Sequence, residues 1–199
     1  MASYRAVSAA SHAIIALLRA SFDRNDFGRD LEFDVYSHQS FRSAMSAGVS
    51  LFVYRIFHNG TNRMPAGRRH LDGRRDPPRL PIDFHFILTA WASTPSLEHT
   101  IAGWFMRTLE DHLVLPAGFL NVAEPDTFRP DEMLEIAPAE LATEDLLRLW
   151  EGLLPNGYRL SVPYAARTLL IDSNYDAQTA RAVDERLFEY RRITAETGS

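Results

Sequence analysis

Two runs dense in β-branched and aromatic residues, Gly48–His58 (GVSLFVYRIFH) and 81–92 (PIDFHFILTAWA), set what this chain can fold into. Residues of these types suit a pleated, half-buried surface, so both runs are expected as the two central strands of a sheet. By the period of two, the second run puts Asp83 and His85 on one face and Ile82, Phe84, Phe86 and Leu88 on the other. About twenty residues lie between the runs, and a connection that long without structure of its own is usually functional or disordered. It holds Gly60, Gly67, Gly73, Pro65, Pro77 and Pro78, so residues 59–80 are expected as an arm.

The flanking sequence alternates helix and strand signals without a regular strand–helix–strand rhythm. Val7, Ala10, Ile14, Leu17 and Leu18 recur at helical spacing, with Ser3 as N-cap and Gly28 beyond the end. Residues 31–37 alternate as a half-buried strand. Thr94 and Pro95 open a second helix with a stripe of Leu97, Ile101, Trp104, Phe105, Leu109 and His112. A loop over 116–130 and a short strand over 133–136 follow. Thr143, Glu144 and Asp145 then start a helix that buries Leu146, Leu147, Trp150, Leu153 and Leu154 and ends at Pro155, Asn156 and Gly157. Residues 159–172 read as the last strand, with Pro163 implying an edge or a bulge. In the polar tail, Val183, Leu187, Phe188 and Tyr190 suit a helix or an extended arm equally. The 199 residues are enough for one domain with a proper core. The expected fold is α+β: one domain over 1–172, a mostly antiparallel sheet with helices packed on it, and a C-terminal extension over 173–199.

Two absences narrow the chemistry. All 21 basic residues are Arg, and there is no Lys and no Cys. That strikes out Walker-type phosphate loops, Schiff-base lysines, thiolate nucleophiles, disulfides and thiolate metal sites. The longest apolar run, 13–18, is far too short to span a bilayer, and no cleavable export signal precedes it, so a cytoplasmic product without membrane association is expected. Net charge is −5, but its placement is uneven. Arg63, Arg68, Arg69, Arg74, Arg75 and Arg79 face only Asp72 and Asp76 in the arm, whereas residues 98–151 hold twelve acids against three Arg. Sign segregation of this kind suits complementary surfaces on identical copies.

No catalytic, cofactor or metal site is expected. The seven His show no paired metal spacing, and neither Gly-x-Ser-x-Gly nor Gly-x-Gly-x-x-Gly occurs. Arg55, Asp83 and His85 converge on one sheet face, either as a structural polar network, the preferred reading, or as the centre of a small hydrolase. The Arg-rich arm suits nucleic-acid phosphates too, yet it has no interleaved aromatics and the chain is acidic. A carboxylate-bearing protein partner is the preferred reading.

Particular strings add to this: 51–55 (LFVYR), 81–90 (PIDFHFILTA), 102–104 (AGW), 158–164 (YRLSVPY) and Arg167 through Ile171 and Asp172, in that order. Together they resemble the N-terminal domain of the cap, or tail-terminator, protein of extracellular contractile injection systems, the group of the Photorhabdus virulence cassette and antifeeding prophage. The resemblance implies a phage tail-terminator-like fold and a structural role. It implies a hexameric ring on the distal end of the inner tube that joins the last sheath layer, in a particle that is released or stays inside the cell. On that basis the arm is expected to contact tube or neighbouring cap subunits. Residues 183–193 are expected to add a strand to a sheath subunit.

Overall fold

The computed structural model describes residues 4–61, 79–154 and 157–173. The long apolar runs form β2 (Gly48–His58) and β3 (Arg79–Trp91), paired antiparallel. They sit inside a six-stranded sheet with β1 (Glu32–Val35), β4 (Val114–Pro116), β5 (Met133–Pro138) and β6 (Ser161–Asp172), in the order β1-β2-β3-β6-β5-β4. Only the β1–β2 pairing is parallel. The expected α+β class with a mostly antiparallel sheet is what the chain adopts.

Alternation along β3 sends side chains into two separate cores. Phe84, Phe86, Leu88 and Ala90 face the larger core beneath α1 (Ala6–Ser21) and α3 (Pro95–Asp111). Ala6, Ala9, Ala10 and Ala13 line the inner side of α1, and their small side chains let the helix approach the sheet closely. Ile87 and Trp91 face the other way, toward Tyr36, Phe41, Trp150 and Leu153. That smaller core lies under α5 (Thr143–Leu153) and the 3₁₀ turn His38–Ser43. Tyr164 stacks on Phe86 at 5.7 Å, and burial pushes its phenol up to about 12.

Local signals placed most elements but not all their details. Ser3 lies outside the described residues; the N-cap of α1 is Arg5, with no side-chain cap. Gly28 closes a separate short helix, α2 (Arg24–Phe27), in the left-handed conformation. Thr94 caps α3 as its sequence predicts, but His112 is the exposed C-cap residue rather than part of the buried stripe. On α5 only Trp150 and Leu153 are buried; Leu147 points to solvent and Leu149 packs in its place. The loop over 116–130 contains α4 (Ala117–Leu120) and is braced by Asn121. Its side chain accepts the Phe128 N–H at 2.8 Å and donates to the Phe128 carbonyl at 3.0 Å.

Pro163 sits where β6 is locally an edge, as its sequence implies. β6 is otherwise an interior strand, and Pro163 lies one residue past the last β5 pair, Pro138 with Tyr164. Its carbonyl accepts the Ala139 N–H at 3.0 Å, so the missing N–H of the ring faces a side where the ladder has already ended. Gly48 is required where β1 meets β2. At φ 153°, a Cβ there would lie 2.0 Å from the Glu32 carbonyl oxygen.

Candidate assembly site at the base of the arginine-rich arm

Of the residues expected at interfaces, Arg63, Arg68, Arg69, Arg74, Arg75, Val183, Leu187, Phe188 and Tyr190 lie outside the described residues. Arg79 is described, and it is engaged within the chain. It opens β3 opposite Asp172, the last residue of β6, with its Nε 3.1 Å from Oδ1. Arg129 pairs with the other oxygen. The Asp172 side chain is 3% exposed, so a nearly buried carboxylate sits between two guanidiniums and ties the returning end of the arm to β6.

Arg55, Asp83 and His85 come to the same end of the sheet, and Arg55 stands opposite His85 across the β2–β3 ladder. The expected single network nonetheless divides. Asp83 accepts two hydrogen bonds from Asn59 Nδ2, both at 3.1 Å, and one from the backbone N–H of Thr168 at 2.7 Å. His85 packs edge-on against Phe57, ring centroids 5.0 Å apart, and near Tyr54 at 5.9 Å. The Arg55 guanidinium lies 4.8 Å over the Phe57 ring. Among the described residues, no hydrogen bond or ion pair joins Arg55, Asp83 and His85 to one another. Burial holds His85 below the ordinary histidine value, and the Arg55 charge adds to the effect against an opposing contribution from Asp83. This is an imidazole kept neutral by its surroundings.

The division has a backbone cause. β6 carries a bulge between its pairings to Ile82 and Phe84, and Thr168 within it has φ 61°. A bulge leaves a ladder N–H without its strand partner, and the Asp83 carboxylate takes it. Nothing local in the sequence marks Thr168, because a β-branched residue is among the least expected at positive φ. Asn59 and Arg129 also reach this site, and their partners are distant in sequence.

At the same bulge the sheet splits. β5 follows β6 only as far as the pairing of Glu135 with Arg167, leaving a groove of about 360 Å³ beside residues 167–170. The acidic stretch expected as one flank is instead divided. α3 covers one face of the sheet and α5 the other, so Glu98, Glu110 and Asp111 lie apart from Glu144, Asp145 and Glu151. Among the described residues, no cluster of His and carboxylates is arranged to hold a metal, and no helix is long and apolar enough to cross a membrane.

Two solved structures share this fold. One is the sheath/tube terminator of an extracellular contractile injection system, PVC, in its extended state. It is 20% identical with a TM-score of 0.58, over 96% of this chain and 65% of that one. The other is the tube terminating cap of the anti-feeding prophage, 16% identical with a TM-score of 0.60, over 90% of this chain and 59% of that one. The chain thus spans less than two thirds of the length of either structure. No curated protein matches the sequence. Residues 9–185 match the model of the Pvc16 N-terminal domain, and with nearly nine tenths of its length inside that match, the chain belongs to the Pvc16 N-terminal domain family.

Proposed function

We propose that this protein is a structural cap of a contractile injection system, a terminator that closes the end of the inner tube and joins the last sheath layer. The observation that carries the reading is the fold shared over 96% of this chain with a sheath/tube terminator, in a chain that belongs to the Pvc16 N-terminal domain family. The cap works as a hexameric ring of identical subunits, made in the cytoplasm and built into the particle. Residues 1–172 form the ring domain and 173–199 an extension. A ring needs heterologous interfaces, and the concentration of Arg in the sequence of the arm supports one in which the arm meets carboxylates on the next subunit or on the tube. We assign no catalysis. Asp83 spends its lone pairs on Asn59 and Thr168, and His85 is packed against Phe57, which are structural placements.

Deleting the gene is expected to leave particles with tubes of irregular, excessive length in electron micrographs. Purified protein is expected to form six-fold rings. Replacing Arg68, Arg69, Arg74 and Arg75 together by Ser should abolish capping while the fold persists by circular dichroism. Normal tube lengths without the protein, or salt-dependent retention on nucleic acid in place of tube binding, would overturn the reading.

A further inference from the structure

The two outermost strands of the sheet are closed to further pairing. In β1 and just beyond it the N–H groups of Glu32 and Tyr36 donate inward to Ala47 and Leu51 at 3.0 and 2.7 Å, so alternation turns the backbone groups of Phe33 and Val35 outward. Arg19 takes the Phe33 carbonyl at 2.7 Å, and the Asp34 carboxylate takes the Val35 N–H at 2.8 Å. β4 is three residues long and ends in Pro116, which has no N–H. Sheets blunted in this way resist edge-to-edge association.

Inside the sheet the treatment is the opposite. Past the Thr168 bulge β5 diverges, and β6 keeps a partner only on its β3 side. Leu170 stands opposite Pro81, whose carbonyl accepts the Asn59 N–H on the β2 side at 2.9 Å. The backbone groups of Leu170 therefore turn away from β3, into the groove. Val114 and Leu170 give the groove accessible apolar surface, and Met133 stands 64% exposed at its rim. Asp131, Glu132 and Glu135 stand around it with the guanidinium of Arg167, which lies opposite Glu135 across the β5–β6 ladder; Glu132 accepts the Arg129 N–H at 2.7 Å through Oε2, and its buried Oε1 accepts no hydrogen bond among the described residues. An open backbone edge, an apolar lining and an excess of acids beside one guanidinium fit an extended segment that alternates apolar residues with several bases and one acid.

This chain contains such a segment. Residues 186–192 read Arg-Leu-Phe-Glu-Tyr-Arg-Arg, in which Phe188 and Tyr190 alternate with Glu189 and Arg191. A hairpin turning straight back from Asp172 would bring residues 176–181 to the groove, and these are polar (DAQTAR). Phe188 follows Asp172 by sixteen positions, a reach of up to about 50 Å when extended, enough to meet a neighbouring molecule. We propose that residues 186–192 of one copy lie as an added strand along residues 170–172 of the next, with Glu189 toward Arg167 and a flanking Arg toward Glu132. The proposal rests on the reading of the protein as an assembling cap, and it gives this segment a neighbouring copy as its acceptor in place of the sheath subunit expected from the sequence.

The absence of cysteine makes the test specific. Full-length Met133→Cys and Glu189→Cys variants, mixed in equal amounts and mildly oxidised, are expected to yield a disulfide-linked 133–189 peptide on digestion. Adding Phe188→Ser and Tyr190→Ser to the second variant should reduce that peptide at least tenfold. Its absence from the mixture, or its formation only when both cysteines share one chain, overturns exchange between copies. A linked peptide with tubes left uncapped supports the exchange and counts against the cap reading; capped tubes without the peptide do the reverse.

Discussion

The Asp83 carboxylate accepts the backbone N–H of Thr168 at 2.7 Å, across 85 positions of sequence, and holds β6 in a bulge where Thr168 has φ 61°. The same carboxylate holds Asn59 at the end of β2, so one side chain joins three strands at the base of the arm. Replacing it by Ala leaves a bulge N–H and an amide to find water in a half-buried place. Asp83→Ala is expected to lower stability by about 2 kcal/mol, the range for hydrogen bonds to a charged acceptor. Asp83→Asn keeps one acceptor oxygen and should lose less. Urea unfolding followed by circular dichroism measures both, and equal stability of Asp83→Ala and wild type would dismiss the bracing role.

His85 makes stability depend on pH in a defined direction. Its folded value lies below 6.5, so the unfolded chain takes up a proton first as pH falls. The stabilisation is complete above about 6.5 and is lost progressively as pH drops from there toward the folded value. His85→Gln is expected to flatten this part of the stability profile between pH 7 and 5. An NMR titration should place the His85 midpoint below that of a free imidazole, and a midpoint at or above 6.5 would contradict the burial argument.

Gly48 admits no side chain. With a Cβ placed 2.0 Å from the Glu32 carbonyl oxygen, β1 has to shift or detach from β2. Gly48→Ala is expected to cost about 3 kcal/mol through overpacking and left-handed strain together. Thermal unfolding reads the loss. Amide exchange should show fast exchange concentrated at Glu32 in β1 and at Tyr36 just beyond it, which donate to the β2 side.

Asp172 is the one carboxylate between Arg79 and Arg129. Removing it leaves two partly buried guanidiniums facing each other without compensation, so Asp172→Ala should destabilise by about 3 kcal/mol, as for other broken buried pairs. Substituting Arg129 by Ala as well should recover part of the loss, since the repulsion goes with it. A double-mutant cycle by chemical denaturation tests this, and strict additivity of the two losses would argue against a shared site.

The sequence by itself determined the long elements and the class of fold. Alternation over Gly48–His58 and 81–92, the Thr94 and Pro95 signal for α3, and the helical spacing from Val7 to Leu18 are local patterns, and each reports its own buried face. It also placed Asp83 and His85 on one side of the sheet, because a period of two is enough for that, whereas Arg55 joins that side only through the register shift between Val53 and Arg55 in β2. What only the tertiary structure decided is whom these side chains meet. Asp83 turns to Thr168 and Asn59 because a bulge in a distant strand exposes an N–H beside it, and Asp172 collects Arg129 from 43 positions away. The acids of 98–151 are contiguous in sequence yet divided in space, because α3 and α5 cross to opposite faces of one sheet. Periodicity is a property of a few neighbouring residues, whereas register, bulges and the side on which a helix packs come from contacts between segments far apart in the chain.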